Sequence, residues 1–385
     1  MCTTNRCSFI CSQRSGSALS RSPSLYHRPV SSPESQSPAS LSPPGESPSP
    51  SGEVSKRSRL PANLFIQIAG FMIGLALLYW CVTVALTPDN QKQLASLQHA
   101  SWVSLTELVL LTISSVVLNG LIFWATLQPV KKLSSLDLIA TNAVASLLAF
   151  LPFKLSIIFR FLIHRRRDEV PLLTIGAWFA AVAGGMLMVL GPLAALSLWR
   201  RAIDSIWIIG AATSIPLIAL IVISIAKLAA GDAGMLRIYR VANRLNIEPI
   251  SKAVRTTWFG KLHSICAMVG NPYWFALALV LRLLDVAVWA LRFHDVSKLL
   301  GKPLGWDTSL MLSSTYFLAG VLVPSGTLGS REAAALALAR KLAVPDADSV
   351  AVVALVVTAF EAATLLGAAA LGLIWLRPDR LLRKR

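Results

Sequence analysis

Arg331 and Glu332 close the run Pro324-Ser325-Gly326-Thr327-Leu328-Gly329-Ser330, which lies between two long apolar segments, Trp306 to Val323 and Ser349 to Leu376. Pro324 removes a helical hydrogen bond, and Gly326 and Gly329 permit tight backbone geometry. A helix opening at Ser330 presents free amides at the positive end of its dipole, and an arginine in its first turn makes that end suited to a phosphate. On this reading Arg331, Ser325, Gly326 and Gly329 contact an anionic head group, while Glu332 complements the dipole and orients the arginine. The same residues also allow a simpler arrangement, in which proline and glycine turn the chain and Arg331 and Glu332 neutralise each other.

A second stretch has the same grammar. LPFKLSIIFRFLIHRRRDEVP, from Leu151, and VPSGTLGSREAAALALARKLAVP, from Val323, each begin with an apolar residue and proline, place an arginine seven or eight residues on, and end in Val-Pro. Arg160, with Lys154 nearby, is the cation matching Arg331, and Pro152 the break matching Pro324. An ionisable group inside a membrane is costly and marks function, although Arg160 also has the reach to snorkel to the interface beside Arg165, Arg166 and Arg167. Arg282 and Asp285, one helical turn apart, read as a structural ion pair facing the bundle. Glu107, Asn119 and Asn142 are further candidates to line a cavity, with interhelical hydrogen bonding the alternative for the two amides. Glu361 is the candidate carboxylate partner for Arg331 or Arg160. Cys81 and Cys266 lie in apolar runs and Cys2, Cys7 and Cys11 in a polar tail, none beside a histidine at ligand spacing, so neither a metal nor a cofactor is expected.

The elements that position these residues are set by composition. Hydrophobic residues make up 55% of the chain and charged residues 14%, and several runs are long and uncharged enough to cross a hydrocarbon core about 30 Å thick. An all-α polytopic membrane protein follows. The net charge of +17 does not imply a nucleic-acid partner, because the basic residues fall in short runs between apolar segments, as anchoring at a cytoplasmic face requires. Residues 1–60 are rich in serine and proline and are expected to be a disordered tail; their arginines and lack of early acids also resemble an organelle transit peptide. Residues 61–385 form the transmembrane bundle.

Spans are expected at Asn63 to Thr87, Leu105 to Leu127, Pro171 to Leu196, Ile206 to Ala230, Ile265 to Leu291 and Ser349 to Leu376. Between them, Leu133 to Ile163 and Trp306 to Arg340 are too short for two crossings and carry a proline at mid-length. If each crossed once, the arginines at 165–167 and the basic connection Lys227 to Lys261 would face outward. As re-entrant or broken helical hairpins, both leave the basic loops and the two termini cytoplasmic. The order is then span, span, hairpin, span in residues 63–196 and again, inverted, in 206–376. Paired broken helices in an inverted repeat are how many transporters build a site at the midplane. The connection Lys227 to Lys261 reads as an amphipathic helix on anionic lipid, with Leu236, Tyr239, Val241 and Leu245 between Arg237, Arg240 and Arg244; a partner-binding helix is the alternative.

The PSGTLGSRE motif resembles the Pro, Gly-rich, Leu-Gly, x-Arg-Glu signature of the lysylphosphatidylglycerol synthase transmembrane region, the group that includes YbhN-type membrane proteins, and LLAFLPFKLSIIFR is similar to that family's leucine-proline segment ending in arginine. The resemblance implies a flippase-like or scramblase-like bundle moving a phospholipid or isoprenoid-type lipid between leaflets, in a bacterial cytoplasmic membrane, or a plastid membrane if residues 1–60 are a transit peptide. Membrane lipids, anionic ones foremost, are the expected partners, and a homodimer is compatible with the pattern. With no catalytic constellation in the chain, no enzyme activity is expected of it. The rival expectation is a non-catalytic subunit beside a glycosyltransferase or lipid-modifying enzyme.

Overall fold

The computed structural model describes residues 62–151, 154–200, 202–244, 256–322 and 327–377. Residues 1–60, the breakers Pro152 and Pro324, the head-group candidates Ser325 and Gly326, and Leu245 lie outside the described residues.

Among the described residues the regular structure is helical throughout, α apart from a 3-10 turn at Leu97–His99. Six helices are long and apolar enough to cross a membrane: α1 (Ala62–Ala85), α3 (Trp102–Leu127), α6 (Leu172–Arg200), α7 (Ser205–Ala229), α10 (Pro272–Leu299) and α13 (Ser349–Leu376). Between them run the shorter α2 (Pro88–Ser96), α4 (Ser135–Leu148), α5 (Leu155–Arg166), α8 (Gly231–Arg244), α9 (Thr257–Val269), α11 (Trp306–Leu322) and α12 (Ser330–Lys341). Side-chain caps set several starts. Ser101 accepts from the Ser104 amide before α3, and Asp204 from the Trp207 amide before α7. Asn271 accepts from the Trp274 amide before α10, with Pro272 in the first turn, where its missing N–H costs nothing. Arg200 also bonds Asp204, and these two contacts hold the Asp204 carboxyl below the usual carboxylate range.

The centre of the bundle is the pairing of α3 with α10, the most extensive helix contact among the described residues. It runs antiparallel: Ser115 bonds Asp285, Asn119 bonds Arg282, and the Trp124 and Trp274 rings meet edge-on, so the number rises along one helix as it falls along the other. Each of these helices then leads into a hairpin packed beside it, α3 into α4–α5 and α10 into α11–α12. Because α3 and α10 are antiparallel, the two hairpins enter from opposite ends. At 1.5 Å per residue, arms of 14, 12, 17 and 12 residues are about 21, 18, 26 and 18 Å long, short of a layer roughly 30 Å thick. The hairpins are therefore re-entrant or broken, and they meet: the Thr327 amide and hydroxyl both donate to the carbonyl of Ala149, the last residue before the break in the first hairpin, at 3.3 and 3.2 Å.

The inverted repeat thus holds in packing as well as order. The contacts of α3 with α4, α6 and α13 have counterparts in those of α10 with α11, α13 and α6. The two halves differ at their rims. The second hairpin's α12 packs on α1 and α13, whereas α5 packs on α4 and only lightly on α6. One apolar cluster, around Trp178, Ile175, Val189 and Phe275, fills the space between α3, α6, α7 and α10. Another, around Phe293, Leu312, Tyr316 and Val353, joins α10, α11 and α13.

Two boundaries differ from the sequence reading. Ile265 does not begin the fifth span; it belongs to α9, and the span starts after a break at Gly270 and Asn271. The Asn-Pro step supplies a cap and a helix start in adjacent residues, which divides an otherwise continuous apolar run. Among its described residues the basic connection holds α8, strongly amphipathic and turned off α7 at Gly231 with φ +69°, and the start of α9, which packs against α6 and α7.

Close backbone approach sets the positions of the hairpins. A Cβ on Gly120 would lie 2.7 Å from the Ile139 Cα, where α3 meets α4, and one on Gly372 would lie 2.8 Å from the Ala140 carbonyl oxygen, where α13 meets α4. Gly120→Val should therefore destabilise the purified protein by about 1–3 kcal/mol through overpacking, read as a lowered thermal midpoint. Gly184→Ala, with no atom within 4 Å of the added carbon, is the control.

Candidate anion site between the hairpins

A partly open cavity of about 320 Å³ lies where the hairpin tips converge, walled by α3, α4, α5, α6, α10, α11, α12 and α13. Among the described residues five cationic side chains line it, Lys154, Arg160, Arg282, Arg292 and Arg331, against one carboxylate, Glu361. The wall is otherwise apolar or hydroxyl- and amide-bearing, with Phe123, Phe150 and Phe317 beside Ser115, Asn119 and Asn142.

Each arginine is held by its neighbours rather than left to sample rotamers. Arg160 donates to the Asn142 side-chain oxygen and stacks over the Phe123 ring, 4.2 Å from its centre. Asn142 in turn donates to the Val116 carbonyl at 2.7 Å, which fixes the amide's direction. Arg282 repeats the arrangement on the long-helix pair: it donates to the Asn119 oxygen at 2.9 Å and to Asp285 at 2.7 Å, and Asp285 also accepts from Ser115 at 2.6 Å. Arg292 and Arg331 share one carboxylate oxygen, Glu361 Oε2, at 3.7 and 3.4 Å. Arg292 lies over Trp289, 4.2 Å from its centre, and Arg331 over both Tyr316 and Phe150 at 4.6 and 5.0 Å. Rings facing guanidinium groups supply attraction where water is excluded.

These contacts do not exhaust the donors. Arg331 is 6% exposed, yet its Nε and Nη2 have no hydrogen-bond partner among the described residues; nor does Nε of Arg282, which is 3% exposed. A buried charged donor without an acceptor is costly. An anion in the cavity would satisfy it.

The structure brings together Arg331, Arg160, Glu361 and Arg282 on the cavity wall, with Asp285 directly behind Arg282. It settles two alternatives. Arg160 turns into the cavity instead of snorkelling towards Arg165–Arg167, and Asn119 and Asn142 both line the cavity and bond across helices. Glu361 pairs with Arg331, not Arg160.

Other assignments are corrected. Glu332 does not orient Arg331, although its charge lies beside it. Consecutive helical side chains point about 100° apart, and Glu332 faces α13, where its fully buried carboxylate accepts from Thr358. Since a carboxylate only accepts, Thr358 spends its proton there and Tyr316 donates to Thr358 at 2.6 Å. Glu332 thus pins α12 to α13. Gly329 is not a head-group contact either: it is the residue before α12 at φ +80°, and a Cβ on it would lie 1.9 Å from the Gly74 carbonyl oxygen of α1. Its missing side chain serves helix packing, and the α12 N-terminus abuts α1. Glu107 is exposed on α3, one position round from the buried Leu108, and does not line the cavity.

Sequence reasoning missed Arg292, which lies just beyond the span expected to end at Leu291, and the aromatic faces over the arginines. It also missed Gly320 of α11, whose added Cβ would lie 2.6 Å from the Arg331 Cδ. The signal for Arg292 was a second arginine ten residues after Arg282, about 80° round the helix axis from it and so still within one broad side of α10.

No family model, curated protein or solved structure matches the chain.

Two outcomes follow. Asp285→Asn leaves Arg282 buried without its counter-charge and should cost about 3–5 kcal/mol, read as a thermal midpoint well below that of the parent. Gly320→Val should push the Arg331 stem aside, so that anion-dependent thermal stabilisation is lost with a smaller fall in the midpoint than Asp285→Asn gives.

Proposed function

We propose that this protein is a lipid transporter of the flippase or scramblase kind, binding the anionic head group of a phospholipid or isoprenoid-type lipid between the hairpins. The observation that carries the reading is the cavity itself: a cluster of buried arginines, with unmatched donors on Arg331 and Arg282, at the meeting point of two half-membrane hairpins that enter from opposite ends. Paired broken helices around a midplane site support alternating access by small movements of one repeat against the other. The rim supports a lipid over a water-soluble anion. Leu151 and Val321 both line the cavity and are 46% and 49% exposed, so its edge is continuous with the apolar outer surface, where acyl chains can remain while the head group enters. The light packing of α5 supports a role for it as the element that moves.

The reading includes a bacterial cytoplasmic membrane with both termini in the cytoplasm. At the end of the bundle bearing Trp124 and Trp274 lie Lys131, Lys132, Arg165 and Arg166, and the arginines of α8. At the other end four cations are paired, Arg200 with Asp204, Lys298 with Asp295, Lys302 with Asp346 and Arg340 with Asp348, and Asp89 and Asp307 lie there with Lys92 and Lys341. The unbalanced positive end belongs inside. The likeness of the two arginine-bearing motifs to the lysylphosphatidylglycerol synthase transmembrane region accords with this function.

In proteoliposomes, the protein should move fluorescent anionic phospholipid between leaflets, and Arg160→Gln should slow that movement by about tenfold or more, the loss of one charge-assisted contact. Arg160→Gln is informative because Arg160 has a neutral amide partner and its removal strands no carboxylate. Failure of the wild type to move any of a broad panel of lipids would overturn the transporter reading and favour a subunit role.

A further inference from the structure

We propose that the cavity is matched to a doubly charged phosphate head group, a phosphomonoester or diphosphate, and that Lys154 at the first hairpin's tip supplies the charge that selects it over a singly charged phosphodiester. The inference rests on the transporter reading and specifies its substrate class.

Charge balance leads to it. The four cavity arginines count as four formal positive charges. Against them stand Glu361 on the wall, Asp285 behind Arg282, and Glu332 beside Arg331 on α12. By formal charge, four arginines against three carboxylates leave one positive charge, and Lys154 makes two. In a membrane interior that excess needs an anion of equal charge. A phosphodiester such as phosphatidylglycerol brings one charge and would leave Lys154 uncompensated. A phosphomonoester above its second pKa of about 6 brings nearly two.

Lys154 has two further marks of a functional position. It lies at the break between α4 and α5, exposed at the mouth of the cavity, and no ion pair among the described residues includes it. Its backbone is left-handed, φ 50° and ψ 39°, a conformation that glycine or asparagine adopts more readily. A lysine that is both strained and unpaired at the mouth of a cationic cavity is accounted for by a ligand that its ammonium meets. The unpartnered Arg331 and Arg282 donors provide the inner contacts.

The full-length protein in proteoliposomes would be given fluorescent phosphatidate or phosphatidylglycerol at pH 8, with inorganic pyrophosphate as a soluble competitor. The wild type should prefer phosphatidate by about tenfold in translocation rate, and the preference should collapse below pH 6 as the phosphomonoester takes up its second proton. Lys154→Gln should abolish most of the preference and Lys154→Arg should restore it, with equal thermal midpoints showing that both fold. Equal rates for the two lipids in the wild type, or an undiminished preference in Lys154→Gln, would overturn the proposal and leave the transporter reading intact. Lys154-dependent binding of pyrophosphate with no movement of either lipid would uphold the dianion site and overturn its assignment to lipid. No binding of any of the three would overturn both.

Discussion

A carbonyl freed by a helix break inside a membrane must find a donor, because no water is there to supply one. Ala149 ends the first arm of the first hairpin, and its carbonyl is met by the amide and hydroxyl of Thr327 from the break in the second hairpin. Each break thereby helps to satisfy the other, and neither hairpin keeps its half-membrane depth without its counterpart. The cavity is the space left beside this junction, and both Ala149 and Thr327 line it. Every other feature of the site depends on the tips staying together, since Arg160 begins its approach from one hairpin and Arg331 from the other.

The arginines are then affordable only through layered compensation. Two are bonded by asparagines whose own amides are tied to backbone carbonyls, two share Glu361, and all four lie over aromatic rings. This scaffold makes the guanidinium groups rigid without fully neutralising them. Rigid, under-compensated cations in a water-poor cavity favour an anion more strongly than mobile ones at a surface. The separate anchoring of Glu332 to Thr358 matters here: it spends one carboxylate on joining α12 to α13 and leaves Arg331 with a shared partner only.

Much of this was legible in the sequence where length and charge speak together. The two proline-broken runs were too short to cross twice, and the arginines at 165–167 excluded a single crossing, so the hairpins and the inverted order followed without structural information. What sequence could not give was direction around a helix axis. Glu332 adjoins Arg331 in sequence but faces another helix, and Glu107 is one residue from a buried position and is itself exposed. Likewise the Asn271-Pro272 start was hidden because apolar residues continue on both sides of it. Arg292 lay one residue past the apolar run that ends at Leu291, whereas α10 continues to Leu299.

The central claim is that hairpins from opposite ends meet tip to tip, and cross-linking across that junction tests it most directly. Ala149→Cys and Thr327→Cys would be combined in a protein whose native cysteines are replaced by alanine or serine, reconstituted in a bilayer and treated with a short membrane-permeant oxidant or bis-maleimide. The account predicts an intramolecular cross-link that forms readily in the membrane and is lost on denaturation. Absence of that link, with Ala149→Cys and Thr327→Cys each reacting instead with impermeant reagent at opposite faces, would mean that the segments cross fully, and would contradict the account.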